Sequence, residues 1–443
     1  MTDDHYKGVG MNKSRLILGA AFTAAALTLS GCSGSGSDTG SGGEGDTLKL
    51  WHFESETSAM GIAWTEAIKI FEEETGATVE FEERSFEQIR STASQVLNSD
   101  EAPDLLEYNK GNATAGLLSS QGLLSNLDDA VEEYGWDDKL APSLQTTAKY
   151  DEQGIMGSGS WFGVPNYGEF VEVYYNKDMF AEAGLEVPTT LDGFEDVMQA
   201  FTDQGVTPMA ESAAEYPLGQ LWYQLALTQA DRGWVEDYQL YTNPVDWQGE
   251  EVSFATETVK DWTDKGYIST NATGSTAEDA GTAFINGTNP IFFSGSWWHN
   301  RFTTEATGFE WGTFLFPEAE LAPGSAGNMW AVPENAANKE LAYEFIDITM
   351  RPEIQNLIGN NGGVPVAADP ADITDEKSSE LIANFNQLTE KDGIAFYPDW
   401  PTPTFYDELN AGLQELLNGT ISPEEFQEQV GGQYQSGVDD IVG

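Results

Sequence analysis

From residue 47 onward the apolar positions fall into two rhythms. LKLWHF (48–53) spaces Leu48, Leu50 and Phe53 as a strand does. SAMGIAWTEAIKIFEEETG (58–76) carries Ile62, Ala67, Ile70 and Phe71 at helical spacing and stops at Gly76, a C-cap residue. ATVEFEE (77–83) alternates again, residues 86–100 read as a helix, and DLLEYN (104–109) as a third strand. Strand, helix, strand, helix, strand predicts an α/β domain with a largely parallel sheet. Ligands of such open sheets sit beyond the carboxyl ends of the strands. Trp51-His52 and Tyr108-Asn109 fall at those ends.

A second block of the same kind begins near Gly163. GEFVEVYYNKDMFAEAG (168–184) reads as a strand running into a helix, and residues 190–205 as a helix capped by Thr190 or Asp192. Residues 216–229 and 254–268 are further amphipathic helices, and PIFFSGSWW (290–298) returns as a strand. Residues 339–363 are helical and turn on Gly362-Gly363, a pair read as ending the helix. Residues 402–442 are helical with a break near Asn418-Gly419. No internal repeat is visible. A length of 443 residues fits two domains.

Before residue 47 the pattern is different. Met11-Asn-Lys-Ser-Arg15 is a short basic stretch, Leu16 to Leu29 is apolar, and Ser30-Gly31 is small, the profile of an export signal. Residues 1–31 are therefore set apart from the fold, with Met11 expected as the true start. Cys32 is the only cysteine, so no intrachain disulfide is possible. Leu29-Ser30-Gly31-Cys32 resembles a bacterial lipobox, which implies cleavage before Cys32 and lipid on its thiol, an anchor to the outer face of the cytoplasmic membrane. Residues 32–46 are a glycine/serine tether with a typical end-to-end distance of roughly 20 Å.

Charge narrows the partners. The chain has 74 acidic and 19 basic residues, a net charge of −55. That sign repels nucleic acid and anionic lipid, leaving a solvated surface or a cationic ligand. Three histidines and one cysteine offer little to a zinc ion, and no metal or cofactor is expected.

The order of motifs resembles the extracellular solute-binding proteins of bacterial ABC importers, the family 1, maltose-binding-protein-like group that carries sugars. LKLWHF with FEEETGATVEFEE is similar to the opening strand, helix and strand of that family. SDEAPDLLEYN resembles its G-x-x-P-D segment. VEVYYNKDMFAEAGLEVPTTLDGF resembles its Tyr-Asn-Lys-Asp signature, and AFINGTNPIFFSGSWW its F…G…G-x-W segment. Glu172 departs from the pattern, standing where the family has a small residue. The resemblance implies two discontinuous α/β lobes with a hinge and a ligand cleft between them, a type II periplasmic-binding-protein-like fold. Residues 47–167 and 290–328 are expected in the first lobe, and 168–289 and 329–443 in the second. It further implies a monomer, an oligosaccharide ligand, ABC permease transmembrane subunits as partners and no catalysis.

A sugar needs flat aromatic groups for its ring faces and polar groups for its hydroxyl edges. The 52 aromatic residues (13 Trp, 16 Tyr and 23 Phe) can supply the first, although most are expected in the core. Chain position selects Trp51, His52, Tyr108, Asn109, Trp161, Tyr167, Tyr216, Trp297, Trp298, Asn328, Trp330 and Trp400 as ligand-binding candidates. Adjacent Trp297 and Trp298 point to opposite faces if they lie on a strand. Trp64, Trp262 and Trp311 fall within helix or strand patterns and are assigned to the core. Two alternatives stay open: a binding protein for a cationic ligand such as a polyamine, and an anchored extracellular glycosidase. The second needs two carboxylates about 5–10 Å apart across a cleft. With 74 acidic residues, composition cannot decide it.

Overall fold

A computed structural model describes residues 47–368 and 370–443. The export signal, Cys32 and the tether lie outside the described residues. In chain order the elements used below are β1 (Thr47–His52), α1 (Ala59–Thr75), β2 (Thr78–Glu83), α2 (Phe86–Val96), β3 (Leu105–Tyr108), β4 (Val164–Pro165), β5 (Tyr167–Asn176), β6 (Met209–Ala210), α3 (Pro217–Leu227), α4 (Glu250–Lys265), β7 (Ile291–Gly295), α5 (His299–Glu305), β8 (Trp311–Phe314), β9 (Met329–Ala331), α6 (Lys339–Thr349), α7 (Pro352–Asn360), α8 (Glu376–Glu390), α9 (Phe405–Leu417) and α10 (Pro423–Val442).

Local chemistry sets the ends of these elements. The Ser58 hydroxyl accepts from the Gly61 amide at 2.9 Å to start α1, and Gly76 ends it at a φ of 72°. Ser85 caps α2 in the same way. Thr190, not Asp192, caps the helix Leu191–Thr202. Pro217, Pro352 and Pro423 each sit at the first turn of a helix, where a missing N–H costs nothing. Pro352 also divides the expected 339–363 helix into α6 and α7.

Two sheets organise the chain. The first has the order β2-β1-β3-β9-β4, with β1 parallel to β2 and β3, and β9 antiparallel to β3 and β4. The second has the order β8-β5-β7-β6 and is mostly antiparallel, with β6 parallel to β7. Leu48, Leu50 and Trp330 of the first sheet pack with Trp64 and Phe71 of α1 and with Phe345 and Ile354 of α6 and α7. Val171, Val173 and Phe293 of the second share a core with Trp222 of α3, Trp262 of α4 and residues of α9 and α10. Trp64, Trp262 and Trp311 are all buried.

The pairing departs from the expected lobe boundaries. Segment 290–328 was expected beside the first sheet, yet β7 pairs with β5 and β6, and β8 pairs with β5, all in the second. Segment 329–443 was expected wholly in the second lobe, yet β9 joins β3 and β4 in the first sheet, and α6 and α7 pack on α1. Hydrophobic period identifies a strand but not its partner sheet. The strand expected over 290–298 ends at Gly295, and Ser296–Trp298 form a single 3₁₀ turn.

Three segments pass between the sheets. Asn166 joins β4 to β5. Gly327-Asn328 joins Gly324–Ala326, which pairs with β5, to β9. Residues 361–363 join α7 to Val364–Pro365, which also pairs with β5. Gln355 of α7 ties two of them together: its Nε2 donates to the Asn166 carbonyl at 2.7 Å and its Oε1 accepts from the Val366 amide at 2.9 Å. At Gly327 any Cβ would lie 2.3 Å from the Tyr167 ring, so only glycine lets the two crossings touch.

Candidate functional site

The crossings form the floor of a cavity of about 500 Å³ walled by loops from both lobes. The first lobe contributes Phe53, Glu54, Ser55, Thr57 and Ser58 after β1, Phe86 at the start of α2 and Asn109 after β3. The second contributes Tyr216 and Gln220 at the start of α3, Trp297 and Trp298 after β7, and Tyr397, Asp399, Trp400 and Tyr406 around the start of α9. Tyr167, Glu169 and Asn328 come up from the crossings.

Aromatic rings make most of the wall. Phe53 and Phe86 meet edge to face at 5.5 Å. Trp297 meets Tyr216 at 5.7 Å, and its indole N–H donates to the Tyr216 hydroxyl at 3.1 Å. Trp298 is buried against Phe292 and Phe302. Tyr397 and Trp400 stand 5.3 Å apart. A 3₁₀ turn, unlike a strand, lets the adjacent Trp297 and Trp298 both reach the cavity.

The floor is a buried polar network. Lys110, one residue beyond Asn109, pairs with Glu169 of β5 and donates to Asn328 Oδ1 at 3.2 Å. Asn328 Nδ2 donates to the Tyr167 hydroxyl at 3.0 Å. Burial pushes the Lys110 pKa down, opposed by the attraction of Glu169. Glu107, behind the floor, is pushed well above the usual carboxylate range by burial and by the nearby Glu54, with Lys110 opposing. Glu54 itself is raised to about 7, mainly by burial and further by Glu169, despite the 2.8 Å bond from Ser58 Oγ. Asp399 is raised by burial to about 6, with Arg90 and Lys110 opposing.

Two contacts close the rim. The Tyr406 hydroxyl of α9 donates to Glu87 of α2 at 2.9 Å, and the Arg90 guanidinium lies 4.2 Å over the Tyr406 ring. Arg301 is held by Glu278 and by Glu305, the latter at 3.0 Å.

Of the residues selected from sequence, Asn109, Tyr167, Tyr216, Trp297, Trp298, Asn328 and Trp400 line this cavity. Five do not. Trp51 is buried beneath the Arg84 guanidinium, 3.6 Å away. His52 stacks on Phe81 at 4.0 Å, and burial holds its pKa down to about 4. β1 holds Trp51 and His52 within the strand, and Phe53 and Glu54, which follow it, reach the cavity instead. Tyr108 is buried within β3 opposite Met329. Trp161 lies in a small hairpin beneath Lys149. Trp330 is fully buried in β9 between Trp64 and Phe345. Sequence reasoning passed over Glu54, Lys110, Glu169, Tyr397 and Asp399. A signal existed for one of them: Glu169, like Glu172, is a charge inside a largely apolar strand.

The sequence profile of the bacterial extracellular solute-binding proteins matches residues 54–356. A probable sugar-binding periplasmic protein of Rhizobium meliloti is 28% identical over 191 residues, 43% of this chain and 39% of that one. This chain thus aligns with well under two thirds of that relative's length. A multiple sugar-binding protein of Streptococcus mutans is 26% identical over 50% of this chain and 54% of its own. Among solved structures, a chitin oligosaccharide binding protein superposes with a TM-score of 0.77 at 24% identity, over 90% of this chain and all of the other. That likeness establishes the fold as the two-lobed type II binding-protein architecture. With the profile covering most of its length, the chain belongs to the bacterial extracellular solute-binding protein family.

Proposed function

We propose that the protein captures an oligosaccharide in this cleft outside the cell and delivers it, chemically unchanged, to the membrane subunits of an ABC importer. The observation that carries this reading is the cavity wall: aromatic faces from both lobes beside carboxyl and amide groups, the pairing a sugar's two kinds of surface require. Its volume falls within the roughly 300–1,000 Å³ of small-ligand sites. Relatives named for sugar binding support the ligand class. A ligand touching both lobes favours the closed arrangement by its differential affinity for it. In the same reading Cys32 carries the lipid that holds a monomeric receptor near its permease. Among the described residues no helix is long and apolar enough to cross a membrane.

A thermal-shift screen against an oligosaccharide panel tests the ligand class. A ligand at about 100 times its Kd adds about 2.7 kcal/mol of stability, read as a raised melting temperature. If spermidine raises it and no saccharide does, the reading is wrong. Accumulation of hydrolysis products in the same samples would refute delivery of an unchanged ligand. Labelling of the wild type, and not of Cys32→Ser, with a palmitate analogue tests the anchor.

A further inference from the structure

The carboxylates of the cavity are unequally matched. Glu169 has Lys110, and Glu278 and Glu305 share Arg301. Glu54 and Asp399 line the same cavity, and among the described residues neither forms an ion pair with Lys, Arg or His. Ser58 donates to Oε2 of Glu54, and among the described residues no hydrogen bond reaches Oε1. The Glu169 carboxylate acts on Glu54, and Glu54, Glu169 and Lys110, the last already paired, act on Glu107 behind it. A second acceptor points the same way. Gln220, 4% exposed on α3, lines the cavity, and its Oε1 has no hydrogen-bond partner among the described residues. Tyr397 and Trp400 already flank a cation, with Lys110 Nζ 5.8 and 5.4 Å from their ring centres.

Unmatched carboxylates, a free amide oxygen and aromatic faces together suit a group that only donates hydrogen bonds and carries positive charge. An ammonium is such a group, whereas a hydroxyl both donates and accepts. A uronate would instead bring a further negative charge into a cavity where, among the described residues, no free cation meets it.

Building on the saccharide reading above, we propose that the cleft selects a saccharide bearing a protonated amine, an amino-sugar unit, and that Glu54 is the residue that recognises its ammonium. Asp399 and Gln220 supply further acceptors. The selection works by charge: amine over hydroxyl, and hydroxyl over carboxylate.

The test is isothermal titration calorimetry with matched probes. Each neutral saccharide that scores in the thermal screen is compared with its 2-amino-2-deoxy derivative and its uronate. The amine form should bind at least tenfold more tightly than its hydroxyl parent, and the uronate at least tenfold more weakly. Glu54→Gln should reduce the amine-to-hydroxyl ratio to within threefold. Asp399→Asn should lower the same ratio, and serves as the second variant if Glu54→Gln fails to fold. Equal affinity for amine and hydroxyl forms, or a ratio that survives in both variants, overturns the inference while the saccharide reading stands. If no saccharide of any charge binds, the saccharide reading falls first and this inference with it.

Discussion

Glu172 offers a test that reaches into the centre of the second sheet. It sits mid-strand in β5 opposite Ser294 of β7 and is fully buried. Asn384 of α8 donates to its Oε2 at 3.1 Å. Burial raises its pKa to about 8; Asn384, Thr313 and Tyr174 oppose that shift and the charge of Glu380 adds to it. The sign of the pH effect follows. Unfolded, the carboxyl loses its proton near its ordinary value of 4.5; folded, it keeps it to about 8. Between those values the folded state holds more protons, so stability is greatest below pH 4.5 and falls as pH rises.

The slope approaches about 1.4 kcal/mol per pH unit, and integrated with both pKa values it removes about 2.5 kcal/mol between roughly pH 5 and 7. Unfolding entropy near 2.1 cal/mol/K per residue makes that about 3 °C for a body of roughly 400 residues. Glu172→Gln keeps the acceptor for Asn384 and removes the titration. The variant's melting temperature should therefore exceed the wild type's by a margin that widens by about 3 °C between about pH 5 and 7. Calorimetric scans of both proteins at three pH values in one buffer series give the answer. A constant offset reflects packing alone. If the two curves run parallel, Glu172 is charged in the fold and the reasoning is wrong.

Three further outcomes follow from the site. Trp297→Ala should weaken saccharide binding by about tenfold or more, whereas Trp51→Phe should change affinity by less than about twofold, both by calorimetry. Lys110→Met leaves Glu169 buried without its cation and should cost about 3–5 kcal/mol in urea unfolding; adding Glu169→Gln should restore most of it. Tyr406→Phe removes the bond to Glu87 across the rim, worth about 1 kcal/mol, and should speed ligand release about fivefold in stopped-flow tryptophan fluorescence.

How much of this was legible in the sequence depends on the range of the interaction concerned. Local periodicity and caps located β1 to β3, and the helices with them, because each is decided within about ten residues. The end of the first helix needed only Gly76, which is local chemistry; the break at Pro352 inside the expected 339–363 helix is just as local and went unread. The lobe boundaries failed because the decision lies elsewhere in the chain. β7 and β9 are both short apolar strands, and nothing within IFFSG or MWA states that one pairs with β5 and the other with β3.

The same distinction sorts the site residues. Trp297, Trp298 and Trp400 reach the cavity from loops, where a large aromatic group has a reason to be; Trp330 resembled them but entered the sheet interior. Trp51 and His52 were close, since a strand's last residue moves by one or two positions between pattern and structure, and each position turns a side chain to the other face. Lys110 and Glu169 stand 59 residues apart and meet only because β3 and β5 converge on one hinge. Their pairing could not be seen, yet it decides the electrostatics of the floor. It occupies the lysine there and leaves Glu54 facing the cavity with carboxylates for company. The selectivity proposed for the cleft is thus a property of the crossing topology, and a relative with similar loop aromatics but a free lysine at the floor would be expected to lose it.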